Sequence, residues 1–401
     1  MIRFLLTFLI VIATSLLLSG CWDSYEIEER AIILALSIDF VEEGEEINMP
    51  EVTHRKGEFP EQGRGTIYKV TAQLAVPGKI MLGPEGGDTT SDETDWLLVT
   101  YGYTMKDTLS NLQQELAGKI YLGHIQIIVV SDKIAKKGLN EILDFFRRDY
   151  EIRRTAWFMI TEGEAQKVLK ATPPIQTVPS LYLANTLNQA VKFGKLPKEY
   201  LGKVWIDLSD IGVDAMIPLV KPMGDHIMVD GLAYFKDDKM VGKLSPMETG
   251  GILAMMGFNP AGYSDVISPG ENNGVYLIKP SKRKSNIKLD IIEGKPNISI
   301  NVDIDGIVVE QVYANDVNEE KLKQIELVAT EHVENMLTTV IKKLQQDESD
   351  VLGIGARLRA FYPKYWNENV KNDEGWYELY KDLEIQINLN YEIRRVGMEW
   401  R

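Results

Sequence analysis

The 401-residue chain has one cysteine, four histidines and no excess of basic residues. With Cys21 as its single thiol, no disulfide can form within the chain, so stability rests on buried cores alone. Lys and Arg total 44 against 59 Asp and Glu, a net charge of -15. That balance lacks the basic footprint of a nucleic-acid binder. It also argues against charge-driven adhesion to an anionic bilayer, which takes clustered cations. His54, His124, His226 and His332 are scattered, none stands at H-E-x-x-H spacing, and no free thiol completes a metal site. A Gly-x-Ser-x-Gly elbow and a Walker A loop are both missing. No acid–base pair or nucleophile can be named, so the sequence reads as non-enzymatic, with no metal and no cofactor.

A chain this poor in cationic clusters needs another hold on a membrane, and the N terminus offers one. Arg3 precedes an apolar run, Phe4 to Leu18, which is shorter than a transmembrane helix requires. The run ends in Leu18-Ser19-Gly20-Cys21, which resembles a bacterial lipobox, where the thiol is diacylated and the chain is cut before it. Residues 1–20 are therefore read as a lipoprotein signal peptide and Cys21 as the attachment point. Each acyl methylene buried contributes about 0.8 kcal/mol, so two or more chains hold the protein without help from charge. Nine residues, Trp22 to Arg30, separate the anchor from the first expected strand, Ala31 to Asp39. Fully extended they span roughly 30 Å, and no Gly- or Ser-rich tether lengthens them.

The rest alternates strands and helices, the pattern of a mixed α/β chain. Charged, aperiodic stretches at 42–65 and 83–95 read as surface loops. Tyr68 to Val76 alternates as a half-buried strand, and "IQIIVVS" is a continuous apolar run suited to a strand covered on both faces. Ser245 and Glu248 stand at capping-box spacing before a helix, and Asn318 to Gln346 carries apolar residues at helical spacing. Asp305-Gly306, between two alternating runs, signals a hairpin turn and outweighs a partial resemblance of "DIDGIVVE" to a calcium loop. Pro-rich and Gly-rich connections predict three successive domains, each a small sheet packed with helices: 21–200, 201–280 and 281–401.

Two local features bear on function. "SKRK" and "SNIK" show Ser-x-x-Lys spacing, a match common by chance. "FFRRDYEIRRTAWF" gathers Arg147, Arg148, Arg153 and Arg154 in a chain with a large acidic excess. The simpler account is that the first pair complements a helix C terminus; the functional account is a docking patch for a carboxylate, a phosphate or an acidic partner surface.

Taken together, "CWDSYEIEERAIILALSIDF", "GHIQIIVVSDKIAKKGLNEILDFFRRDYEIRRTAWFMI", "GLAYFKDDKMVGKLSPMETGGIL" and "DVLGIGARLRAFYPKYW" resemble the Ger(x)C spore-germination lipoproteins, the C-subunits of nutrient germinant receptors. The resemblance implies a non-catalytic subunit anchored through Cys21 on the outer face of the spore inner membrane. It also implies partnership with two integral membrane subunits and a fold of three successive α/β domains. Trp22 and the four arginines are then candidates for partner docking. Direct nutrient binding stays open, and the alternative is a solute-binding lipoprotein of a membrane transporter.

Overall fold

The computed structural model describes residues 1–8, 26, 29–42, 44–47, 49–50, 52–53, 55, 58, 67–76, 95–174, 176, 178–270, 274–313, 318–396 and 399–400. Cys21, Trp22, His54 and most of the 42–65 and 83–95 stretches lie outside them. Of the N-terminal apolar run, residues 4–8 are described; they are helical and exposed.

The apolar runs of the first half build one nine-stranded sheet. Its strands are β1 (Arg30–Phe40), β2 (Tyr68–Ala75), β3 (Asp95–Gly102), β4 (Lys119–Tyr121), β5 (Ile127–Ser131), β6 (Trp157–Thr161), β7 (Met216–Pro222), β8 (Ile227–Lys236) and β9 (Lys239–Leu244). They lie in the order β3-β2-β1-β5-β6-β7-β8-β9, with β4 paired to the start of β1. The centre is parallel: β1 with β5, β5 with β6, β6 with β7. The outer pairs are antiparallel. Parallel strands must be covered on both faces, and the "IIVVS" of β5 is buried throughout. Its side chains alternate between two cores: Ile128 and Val130 face one, Ile127 and Val129 the other.

The first core is closed by α1 (Met105–Gln113), α2 (Asp132–Lys137) and α3 (Asn140–Arg148). The second runs under α4 (Gln166–Leu169) and α5 (Pro179–Lys192), while α6 (Leu201–Asp207) returns to the first. It continues under α7 (Pro246–Met255) into a five-stranded sheet, β10 (Asp265–Ile267), β11 (Val275–Ile292), β12 (Lys295–Val312), β13 (Ile385–Val396) and β14 (Glu399–Trp400). The long α8 (Glu319–Gln346) lays Leu322, Ile325, Ala329, Val333, Leu337, Val340 and Leu344 on that sheet. Then α9 (Ile354–Phe361) and α10 (Asp373–Lys381) bring Trp376 and Tyr380 into the same core. The mixed α/β class read from the sequence is what the chain adopts. Residues 201–280 contribute β7–β9 to the first sheet, and β10 with the start of β11 to the second.

The hairpin expected at Asp305-Gly306 is instead at Glu293-Gly294. Both turn residues have positive φ, 51° and 77°, as a primed hairpin turn demands. Gly306 lies inside β12, where Ile300, Val302, Ile304, Gly306 and Val308 continue one buried face without a break. A Cβ there would come within 2.7 Å of Tyr391 Cε1 and 2.8 Å of Ile278 Cγ2. The glycine serves a close approach, not a turn.

A polar seam joins β7 and β8 to the segment after α8. Asp214 accepts from the Asp350 amide (2.8 Å), the Asp237 amide (3.1 Å) and the Tyr377 hydroxyl (2.9 Å). Asp350 in turn accepts from the Gly355 amide at 2.8 Å, and Ser349 Oγ donates to the Phe235 carbonyl at 2.6 Å. Asp350→Ala would orphan buried amides and is expected to cost about 3 kcal/mol. Denaturant unfolding measures it; a loss under about 1 kcal/mol would show that the seam is dispensable.

Burial also shapes the pH response. It pushes Asp39 up to about 6 and Glu199 up to about 8, and raises Asp214 and Asp350 above their ordinary value. A carboxyl whose pKa rises on folding holds its proton more tightly in the folded chain. Its stabilisation is therefore full below the unfolded pKa and is lost as pH climbs through the folded one. For Asp39 that window runs from 3.8 to about 6, and for Glu199 from 4.5 to about 8. Glu348, lowered by hydrogen bonds from Lys236 and Lys381, acts oppositely in acid. The thermal unfolding midpoint is thus expected to be higher near about pH 5.5 than near about pH 8.5. A flat profile, or one rising toward alkali, would refute the assignment.

Candidate functional site

Because β1, β5 and β6 run the same way, the first sheet has two distinct ends. At the amino-terminal end the chain enters through Arg30, and β4 is registered there, Arg30 opposite Lys119. The loop between α3 and β6 closes against this end, with Glu151 accepting from the Leu122 amide at 3.0 Å. It holds the arginines singled out from the sequence. Arg147 and Arg148 occupy the last turn of α3, where cations suit the helix dipole. Arg147 donates to Ser209 Oγ at 3.0 Å, and Arg148 pairs with Asp144 at 2.8 Å with both groups exposed. Arg153 and Arg154 lie beyond the helix and are exposed. The Arg154 carbonyl accepts from the Gly202 amide at 2.9 Å, so its backbone fixes the loop while its side chain faces solvent. The helix-terminus account covers the first pair only.

At the carboxyl end lies a crevice of about 430 Å³, lined among others by Asp39, Lys69, Ser131, Lys133, Gly163 and Glu164. Chain progress reverses across β1: β2 and β3 lie on one side, β5 and β6 on the other. Open α/β sheets place ligands at such a switch point. Asp39 is nearly buried and accepts from the Ala165 and Gln166 amides at 2.7 and 3.2 Å. Lys69 meets Glu45 at 2.6 Å, and Lys133 meets Glu42 at 3.1 Å. Among the described residues, the Ser131 hydroxyl is buried with no hydrogen-bond partner. The described lining groups carry both signs of charge and include no histidine or cysteine. The sequence reading missed this crevice. Its one clue was a polar residue closing each of two buried runs, "LALSIDF" and "IIVVS".

Ser281 and Lys284 of "SKRK" lie in β11 and are both exposed, because a bulge at Ser281 breaks the alternation; the Ser281 hydroxyl donates to the Asp305 carbonyl at 3.0 Å. Between them Arg283 turns inward, donating to the carbonyls of Phe258 (3.0 Å), Gly250 (3.0 Å) and Pro260 (3.3 Å). In "DIDGIVVE", Asp305 pairs with Arg394 at 2.9 Å. Among the described residues, no group of three or more His, Cys, Asp or Glu side chains gathers as a metal site.

Two family models match the chain in succession: the spore germination protein N-terminal domain over residues 23–222, and the spore germination B3/GerAC-like C-terminal domain over residues 230–397. Among curated relatives, spore germination protein KC of Bacillus subtilis (strain 168) is 23% identical, with 99% of this chain and 97% of the relative covered. Spore germination protein B3 of the same organism is 26% identical, with 95% of each covered. The crystal structure of the GerBC protein superposes with a TM-score of 0.56 at 21% identity, over 82% of this chain and 93% of that one, a likeness of fold. With both family models matching end to end, the chain belongs to the GerAC family of spore germination proteins, and its role is in germination.

Proposed function

We propose that the chain is the lipid-anchored, non-catalytic subunit of a spore nutrient germinant receptor, held through Cys21 on the outer face of the spore inner membrane beside two integral membrane subunits. The observation that carries this reading is the junction of lipobox and family match: the matched region begins at residue 23, two positions after Cys21. Among the described residues, no helix is long and apolar enough to cross a membrane, so the acyl chains supply the hold in this reading. A solute-binding lipoprotein would need two similar lobes about a hinge. The two sheets here, of nine and five strands, are unequal, and one hydrophobic core runs from the first into the second.

Cys21→Ala tests the anchor. The wild-type protein is expected to have the mass of a chain starting at Cys21 plus its acyl groups, and the variant to retain residues 1–20 unmodified. Spores carrying the variant should lose most of their response to nutrients. An unmodified wild-type chain, or a variant with a full germination response, would defeat the proposal. Stoichiometric binding of an amino acid or sugar by the chain without residues 1–20 would favour the solute-binding alternative.

A further inference from the structure

We infer that the amino-terminal end of the first sheet, with Arg30, Arg147, Arg153 and Arg154 around the exposed Tyr150, docks on anionic lipid headgroups and sets the orientation of the anchored protein. The inference rests on the anchoring reading and adds a second membrane contact to it.

The geometry comes from the point where the chain leaves for its anchor. The eight residues between Cys21 and β1 span at most roughly 30 Å, and β1 begins at this end of the sheet. The arginine loop is fastened to the same end, through Glu151 and the Leu122 amide next to β4. The Arg30 guanidinium sits 4.4 Å from the centre of the Tyr121 ring. Tyr150, at the tip of the loop, is 91% exposed, an aromatic placed where a headgroup layer favours one.

The charge is also only partly compensated. Arg153 and Arg154 make no ion pair among the described residues, while Arg147 donates to a hydroxyl and shares the field of Asp144 with Arg148. The loop's own acids point to backbone amides: Asp149 accepts from the Glu151 amide at 2.9 Å, and Glu151 from Leu122, so among the described residues neither pairs with a loop arginine, although each is still a carboxylate. Glu199, beside the Tyr200 contact with Trp157, is buried and raised to about 8, so it is largely neutral at pH 7. Asp207 is held by Lys203, and Asp144 by Arg148. Other exposed acids at this end include Glu26 and Glu29 of the tether, Glu115 before β4, and Asp210, which pairs with Arg359. Each cation at an anionic surface adds about fivefold to partitioning. That is too little to recruit a chain of charge -15 from solution. Once the anchor has made the contact intramolecular, it is enough to choose among orientations. The crevice, at the far end of β1's 11 residues, then faces away from the bilayer by about 35 Å.

The test couples the chain from Cys21 onward, through its one thiol, to a maleimide lipid in vesicles of phosphatidylcholine alone or mixed with phosphatidylglycerol. Phenylglyoxal labelling of Arg153 and Arg154 and nitration of Tyr150 are read by peptide mass spectrometry. Labelling at all three is expected to fall several-fold on the anionic vesicles only, and to recover in high salt. In Arg153→Glu/Arg154→Glu, Tyr150 should react on both vesicles as it does in solution. Equal labelling on the two compositions would overturn the inference, and so would protection that appears only when integral membrane partner proteins are added, which would make the patch a protein-docking surface. If the double variant misfolds, the wild-type dependence on lipid and salt still decides. Chemical coupling supplies the anchor, so this result is independent of whether cells acylate Cys21, which the mass of the native protein reads separately.

Discussion

Asp214 collects donors from three separate segments, the amides of Asp237 and Asp350 and the hydroxyl of Tyr377. The Asp350 amide and the Tyr377 hydroxyl thereby tie the segment after α8 and α10 to the first sheet, whose own β8–β9 turn supplies the Asp237 amide. Around it the seam adds Ser349 to Phe235, Ala356 to Gly212 and the pairing of Lys236 with Glu348. A buried carboxylate is costly unless it is fully hydrogen-bonded. Here amides that would otherwise be orphaned in the same interior offset part of that cost, and the rest shows as the raised Asp214 pKa. The hydrophobic core running from β5 to β13 supplies most of the cohesion, but apolar contact alone tolerates sliding. The seam removes that freedom.

What was legible in the sequence was local. The doubly buried run "IIVVS" and the helical spacing of α8 took their expected form. The Ser245–Glu248 capping box is formed by both of its bonds, at 2.7 and 3.3 Å, and Asn318 caps α8 through the Lys321 amide. These signals depend on neighbours within a few positions. Asp214 and Asp350 are 136 residues apart, and no periodicity announces such a pairing. The crevice was hidden for the same reason: Asp39, Ser131 and Glu164 meet only because the strand order places β1, β5 and β6 side by side. Asp305-Gly306 misled because a glycine needed for close packing under Tyr391 reads the same as one needed for a turn.

The arginine cluster shows why a composition-level argument for the whole chain can be incomplete for one end of it. A net charge of -15 argues against recruitment to an anionic surface by charge alone. It says nothing about how the charge is distributed. On the first sheet the cations without carboxylate partners collect at the end where the chain enters, while the opposite end pairs Lys69 and Lys133 with glutamates around a recessed crevice.

That polarity follows from topology. Parallel strands give a sheet two chemically different ends, and a chain whose first strand is also a central strand carries its entry point to one of them. Under the proposed lipid anchor at Cys21, eight residues before β1, only one end of the sheet would lie near the bilayer, whatever the surface charge. In that proposal the acyl chains provide the free energy of attachment, at about 0.8 kcal/mol per methylene, and the surface arginines are left the smaller task of selecting among the orientations that an eight-residue tether permits. Attachment and orientation would then be carried by different parts of the chain, and the end of the sheet with the buried Asp39 and Ser131 would face away from the bilayer.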